Sequence, residues 1–239
     1  MSPAAPKHSA LSPQHSALDS LRLGLFGGSF NPIHAGHLAI ARQTREALGL
    51  DQILFLPTGD PPHKPDGSLA PAHHRLEMVR LAIGSDPTFA VSDVEIRRLG
   101  KSYTIDTIRL LQREYGPKAQ LFFLIGLDAF LDVQSWREPA ALLNSCSFVI
   151  ISRPGTSFRS LSALTVLPNL SQASLEDLDQ GRVRQLDLPI GPQRLICLNL
   201  PHCDISASDI RKRIADKRLV ANLLPPSVES YIIHHHLYY

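Results

Sequence analysis

Gly27-Gly28-Ser29-Phe30-Asn31-Pro32-Ile33-His34-Ala35-Gly36-His37 decides how the chain reads. Before it stands Leu21-Arg22-Leu23-Gly24-Leu25-Phe26, a short apolar run with the length and flanks of a buried strand. After it, Leu38-Ala39-Ile40-Ala41-Arg42 opens a helical pattern. A strand, a glycine turn and a helix start are how an open α/β sheet turns backbone N–H groups toward a phosphate. His34 and His37 are three residues apart, so within a first helical turn they share a face. A phosphate turn with two imidazoles beside it points to chemistry on a nucleotide.

The rest of the composition narrows the class. The chain has 239 residues, a formal charge of +2 and 44% apolar residues, enough for one large domain with a sizeable core. A charge this balanced gives no support to non-specific nucleic-acid binding. No apolar run approaches the roughly 18 residues of a membrane span, and the N-terminus lacks the pattern of a secretory signal, so no membrane is expected. Cys146, Cys197 and Cys203 have no metal-type pair spacing, and an odd number suits a reducing cytoplasm.

Taken in order, 1–20 is rich in Ser, Pro, Ala and His without periodicity and reads as a disordered tail. A strand over Leu21–Phe26 is followed by a helix over His37–Leu48, ended by Gly49, and by a strand over Gln52–Leu56, stopped by Pro57. Thr58-Gly59-Asp60-Pro61-Pro62-His63-Lys64-Pro65 is a loop by composition. Its basic end is either plain surface or a reach over the strand tips.

Helices are expected over Arg75–Ile83 and over Tyr103–Tyr115, the latter capped by Ser102 or Thr104. A strand is expected over Phe89–Ile96. Leu121-Phe122-Phe123-Leu124-Ile125 is nearly unbroken apolar and reads as a central parallel strand ending at Gly126-Leu127-Asp128, where open α/β sheets place ligands. Ser147–Ser152 is another buried strand, with a turn at Arg153-Pro154-Gly155. The segment 156–193 has no clear period and is expected to be loops with one or two short elements. Arg194–Leu200 is a last strand, and Ser206–Ala215 and Pro225–Leu237 are helices, with His234, His235 and His236 at an exposed end. Strands alternating with helices predict one doubly wound, mainly parallel, Rossmann-like domain over 21–239.

Common phosphate and metal signatures do not fit. Gly24-Leu25-Phe26-Gly27-Gly28 is not G-x-G-x-x-G, and Gly100-Lys101-Ser102 lacks the first glycine of a P-loop, where Glu95 stands. Spacing by three on a helix suits shared zinc ligation less than spacing by four, and no fixed third ligand is evident beside His34 and His37. Ile205-Ser206-Ala207-Ser208-Asp209-Ile210-Arg211 places hydroxyls at a helix start with a guanidinium one turn later. Such a serine is ordinarily a cap; hydroxyls with an arginine at a helix N-terminus also make a good anion site.

Together these blocks resemble the nucleotidyltransferase superfamily with the His-x-Gly-His signature. The finer resemblance is to the bacterial nicotinate-nucleotide adenylyltransferases. It is carried by Pro57–Lys64, by Arg75-Leu76-Glu77-Met78, by Ser102-Tyr103-Thr104-Ile105-Asp106-Thr107, and by Ile125-Gly126-Leu127-Asp128 with Trp136. Ser152-Arg153-Pro154-Gly155 and Pro225-Pro226-Ser227-Val228-Glu229-Ser230-Tyr231-Ile232 complete it, in order from about Leu23 to Tyr239. The chain departs from the pattern in Ala207 and Ser208, where Ser and Thr are usual, and in a longer 156–193 segment.

The resemblance implies transfer of AMP from ATP to nicotinate mononucleotide in NAD biosynthesis, with no covalent intermediate. It makes His34, His37 and Arg211 the catalytic group. Gly27, Gly28, Ser29, Phe30, Lys64, Ser206 and Ser208 would bind the phosphates, with Mg2+ held mainly by the phosphates of ATP. Tyr103, Thr104, Asp128, Trp136 and Arg153 would hold the acceptor, Trp136 by stacking on its ring. Association into a homo-oligomer is left open.

Overall fold

The computed structural model describes residues 20–62, 68–152, 155–201 and 203–239. Apart from Ser20, the expected N-terminal tail lies outside them. The elements run β1 (Arg22–Gly28), α1 (Ala35–Leu48), β2 (Gln52–Pro57), α2 (Ala72–Ile83), β3 (Phe89–Val91), α3 (Val94–Arg97), α4 (Thr104–Tyr115), β4 (Gln120–Gly126), α5 (Leu127–Phe130) and α6 (Pro139–Leu143). They continue with β5 (Ser147–Ile151), α7 (Gln172–Asp179), β6 (Gln185–Ile190), β7 (Gln193–Leu198), α8 (Ala207–Ala215) and α9 (Pro226–His234). Short 3-10 turns cover Val133–Ser135 and Phe158–Ala163.

The described strands form one sheet in the order β3-β2-β1-β4-β5-β7-β6. All neighbours are parallel except β6, which runs antiparallel to β7. Helices cover both faces, so the central strands are apolar on both. Along β4 the period-2 alternation divides Leu121, Phe123 and Ile125 from Phe122 and Leu124. The first set packs with Ile108, Phe130 and Phe158; the second packs with Met78, Val79, Ile210 and Val228.

Local chemistry sets the element ends. Gly49 stops α1 at φ 57, a left-handed value that costs glycine little, and its N–H returns to the carbonyls of Arg45 and Glu46. From β1 the chain builds outward through β2 to β3, then crosses back to β4 on the other side of β1. The C-terminal tips of β1 and β4 therefore flank the point where winding reverses, which is where such sheets bind ligands.

Three expectations need correction. Phe89–Ile96 is no single strand: β3 stops at Val91, and the chain turns into α3. There the Ser92 hydroxyl accepts the Val94 N–H at 3.3 Å and Arg97 pairs with Asp93 at 2.9 Å. Helix α4 starts without a side-chain cap, its N-cap being Tyr103, because the Ser102 side chain is buried and Thr104 is already helical. The 156–193 segment is more regular than its sequence suggests. Phe158, Leu161, Leu175 and Leu178 bury together, and the Asp179 carboxylate accepts the Ser157 hydroxyl at 2.5 Å and the Phe158 N–H at 2.7 Å. Strand β6 then closes the sheet edge beside β7.

Candidate active site

The turn after β1 is shaped by one ring. Phe30 sits at φ 45, a conformation that costs a non-glycine residue roughly 1–2 kcal/mol. Its ring, 2% exposed, holds it there, packed against Phe26, Phe55 and His37 with centroids 5.1–5.7 Å apart. That ring also explains Gly28, where a Cβ would lie 3.1 Å from it. At Gly27 a Cβ would lie 3.0 Å from the Phe123 ring. The glycines are needed because aromatic rings cover the turn closely.

His34 is the N-cap of α1 and His37 its third residue, so both do lie in the first turn. Their rings stack with centroids 3.7 Å apart and planes 30° from parallel. The His34 N–H donates to His37 Nδ1 at 3.2 Å. That contact makes Nδ1 the acceptor, so the proton of the neutral ring sits on Nε2, which becomes a donor for an anion.

Across from them stands α8. The Ser206 hydroxyl accepts the Ser208 N–H at 3.2 Å, so Ser206 is a helix cap. The Ser208 hydroxyl accepts from Arg211 at 3.1 Å, and Arg211 also donates to the Asn31 carbonyl at 2.8 Å. Helix α8 and the β1–α1 turn are thereby joined. A cavity of about 520 Å3 lies between them, lined by His34, His37, Ser206, Ala207 and Ser208, by Ser152 and Cys203, and by Ile40 and Ile151, which the sequence did not single out. A larger cavity of about 1030 Å3 opens at the opposite edge of the sheet, against Arg22, Gln120, Ser147 and Gln193 at strand starts. Parallel strands carry their binding loops at the other end, so that cavity is not the candidate site.

The expected acceptor residues fall on the other face. Tyr103 precedes α4 and Thr104 begins it. Trp136, half-buried, follows the first 3-10 turn, and Arg137 beside it lays its guanidinium 4.8 Å from the centre of the Tyr103 ring. The Tyr103 and Trp136 segments are thus neighbours, although neither lines the histidine cavity. Asp128 lies on α5 just past the tip of β4, exposed. Lys64 and Arg153 lie outside the described residues.

Two polar residues beneath the turn stand in the sequence motifs but had no role assigned there. Asn31 is buried, and its Oδ1 accepts the Ala70 N–H at 3.1 Å and the Tyr238 hydroxyl at 2.8 Å. Burial pushes the Tyr238 phenol upward, while Arg211 and Arg75 act the other way. Arg75 is 1% exposed and donates to the carbonyls of Ala70 at 2.9 Å, Ser29 at 2.8 Å and Gly59 at 3.2 Å. Burial lowers its pKa and the Tyr238 and Glu95 side chains oppose this, yet an arginine keeps its charge. A hydrogen bond from a charged donor contributes about 1.5–3 kcal/mol, so three of them offset much of the burial cost. Beyond its place in the Arg75-Leu76-Glu77-Met78 block, its sequence signal was a cation on an apolar helix face, next to Leu76 and one turn before Met78 and Val79. Among the described residues no three His, Cys, Asp or Glu side chains gather as metal ligands. None of the described helices is long and apolar enough to cross a membrane.

Residues 25–213 match the family described as cytidylyltransferase-like. Over 218 residues the chain is 42% identical to a Pelobacter propionicus protein named "Probable nicotinate-nucleotide adenylyltransferase", covering 91% of this chain and 98% of the relative. A Moorella thermoacetica protein of the same name is 38% identical over 218 residues, 91% of each chain. Among solved structures, Plasmodium falciparum nicotinic acid mononucleotide adenylyltransferase complexed with NaAD superposes with a TM-score of 0.64 at 21% identity, covering 91% of this chain and 97% of that one. This last likeness is one of fold.

Proposed function

The chain belongs to the cytidylyltransferase-like family and, within it, to the nicotinate-nucleotide adenylyltransferases, and from that membership we propose that it moves the AMP group of ATP onto nicotinate mononucleotide. The products are nicotinate adenine dinucleotide and pyrophosphate, a step of NAD biosynthesis. A phosphate oxygen of the mononucleotide forms the new bond to the α-phosphorus of ATP. The bond from that phosphorus to the α–β bridging oxygen breaks, and its electron pair leaves with pyrophosphate. No protein nucleophile takes part, so catalysis is positioning and charge stabilisation.

One observation carries this reading: His34 and His37 of α1 and Ser206 and Ser208 of α8 line one cavity at the tips of parallel strands. In it the two imidazoles donate to ATP phosphate oxygens as charge accumulates. Backbone N–H groups of Gly28, Ser29 and Phe30 cradle a phosphate, and Ser206, Ser208 and Arg211 hold the departing β- and γ-phosphates. Lys64 adds positive charge. On the acceptor side Trp136 stacks on the pyridine ring, Tyr103 and Thr104 meet its carboxylate, Asp128 accepts from a ribose hydroxyl and Arg153 orients the mononucleotide.

ATP enters as its magnesium complex. Asp204 is the one carboxylate among the described residues lining the cavity, amid hydroxyls and imidazoles. That donor set fits an ion held by phosphate oxygens and water, which offsets triphosphate charge, and does not form a protein cage. Cys146, Cys197 and Cys203 are free thiols, and burial pushes the first two up to about 12.

The test is pyrophosphate release from ATP with nicotinate mononucleotide, nicotinamide mononucleotide and phosphopantetheine as acceptors. Fastest turnover is expected with the first. Turnover with another acceptor alone would move the chain to a sister reaction, and none with any would leave a nucleotide-binding protein.

A further inference from the structure

We infer that Arg75 is a positioning residue for phosphate binding: its buried guanidinium fixes the direction of the Phe30 N–H and locks the β1–α1 turn to the loop after β2. The inference rests on the reading of that turn as the phosphate site.

The Ser29 carbonyl accepts from Arg75 at 2.8 Å. Among the described residues the cis peptide is Asn31–Pro32, so the Ser29–Phe30 peptide is trans. In a trans peptide the C=O and N–H point in opposite directions. Holding the Ser29 oxygen against α2 therefore aims the Phe30 N–H away from α2 and polarises it as a donor. The same hold maintains Phe30 at its left-handed φ of 45.

The second arm reaches Gly59. Its carbonyl accepts from Arg75 at 3.2 Å, and a Cβ there would lie 2.3 Å from the backbone oxygen of Glu95. The loop after β2 is thus gripped by Arg75 on one side and stacked on α3 on the other, with no room to slide. The third arm, to the Ala70 carbonyl, fixes the entry to α2. Its acceptors, the three carbonyls and the Thr58 hydroxyl at 3.5 Å, are all neutral oxygens, and no described carboxylate forms an ion pair with Arg75. A buried cation whose hydrogen-bond partners are all neutral leaves positive potential behind the phosphate turn, where low dielectric makes it felt.

The experiment combines Arg75→Lys and Arg75→Ala with added methylguanidinium. Calorimetric titration with magnesium-ATP reads the phosphate site without any acceptor, and steady-state kinetics with nicotinate mononucleotide read turnover. Arg75→Lys keeps the charge but cannot span three carbonyls; it is expected to fold, to bind ATP about tenfold more weakly and to lose about a hundredfold in kcat, with the KM for the mononucleotide within about threefold. Methylguanidinium is expected to restore part of the ATP binding of Arg75→Ala. ATP binding by Arg75→Lys within about twofold of the parent would overturn the proposal, and that variant decides if Arg75→Ala does not fold. A parent protein that binds ATP without using the mononucleotide would end the reaction reading and leave this one to be settled by binding.

Discussion

The Arg211 guanidinium donates to the Asn31 carbonyl at 2.8 Å across 180 residues of chain, while its other terminal nitrogen donates to the Ser208 hydroxyl at 3.1 Å. Both contacts orient the cation before any anion arrives, which is the condition under which electrostatic stabilisation is most effective. A lysine has the charge but not the planar fork that spans both partners. Arg211→Ala is expected to lower kcat/KM for ATP by about 10²–10³-fold, with Arg211→Lys recovering less than half of that loss in free energy. Thermal unfolding should change little, because the side chain is half exposed. A large fall in stability with unchanged kinetics would reassign Arg211 to holding α8.

The stacked histidines act as one unit. His37 Nδ1 takes the His34 N–H, and the rings lie 3.7 Å apart, so loss of either disturbs the other. His37→Ala is expected to cost about 10²–10³-fold in kcat, and His34→Ala a comparable amount. The double variant should be scarcely worse than the poorer single one, since residues that work together are strongly non-additive. Losses that multiply would mean that the two imidazoles meet separate phosphate oxygens independently.

What could be read ahead of the structure divides by the physics that carried it. The β1 turn, the central β4 and the α8 N-terminus were legible because each has a local signature: an apolar run, glycines at a tight approach, hydroxyls at a helix start. Arg75 and Asn31 were not, because their roles exist only through partners distant in sequence, such as Ser29, Gly59 and Tyr238. The segment 156–193 hid for a related reason. Its short elements draw their order from Asp179 reaching back to Ser157 and from β6 pairing with β7, neither of which shows as a period.

Glu95 carries a pH signature. Burial pushes its carboxyl above the ordinary range, against the Thr107 hydroxyl at 2.9 Å, the Arg98 guanidinium, the Gly59 N–H and the Ser102 hydroxyl. In the window above the ordinary glutamate value, the unfolded chain has released this proton while the folded chain retains it. Stability from this group is therefore complete below that window and declines as pH rises through it. Glu95→Gln removes the proton equilibrium. Urea unfolding from about pH 4 to about pH 8 should show a flatter profile for the variant, with the gain over the parent growing toward the upper end. Two parallel profiles would mean that the neighbouring donors outweigh burial.

Trp136 is placed by its neighbours. It ends the Val133–Ser135 turn, and Arg137 anchors the segment, lying over Tyr103 and 3.5 Å from Asp106, while Glu138 pairs with Arg109 at 2.7 Å. The indole can therefore be removed while the segment stays in place, which makes it a clean probe of the acceptor side. Aromatic stacking on a heterocyclic base contributes about 1–3 kcal/mol, so Trp136→Ala should raise the KM for nicotinate mononucleotide by about 10–100-fold. The KM for ATP should stay within about threefold, because the phosphate cavity lies on the other face of the sheet. Trp136→Phe keeps a flat ring and should recover most of the loss. Steady-state kinetics with each substrate varied in turn read this split, and equal losses for both substrates would show that Trp136 supports the α5–α6 segment and does not touch the acceptor.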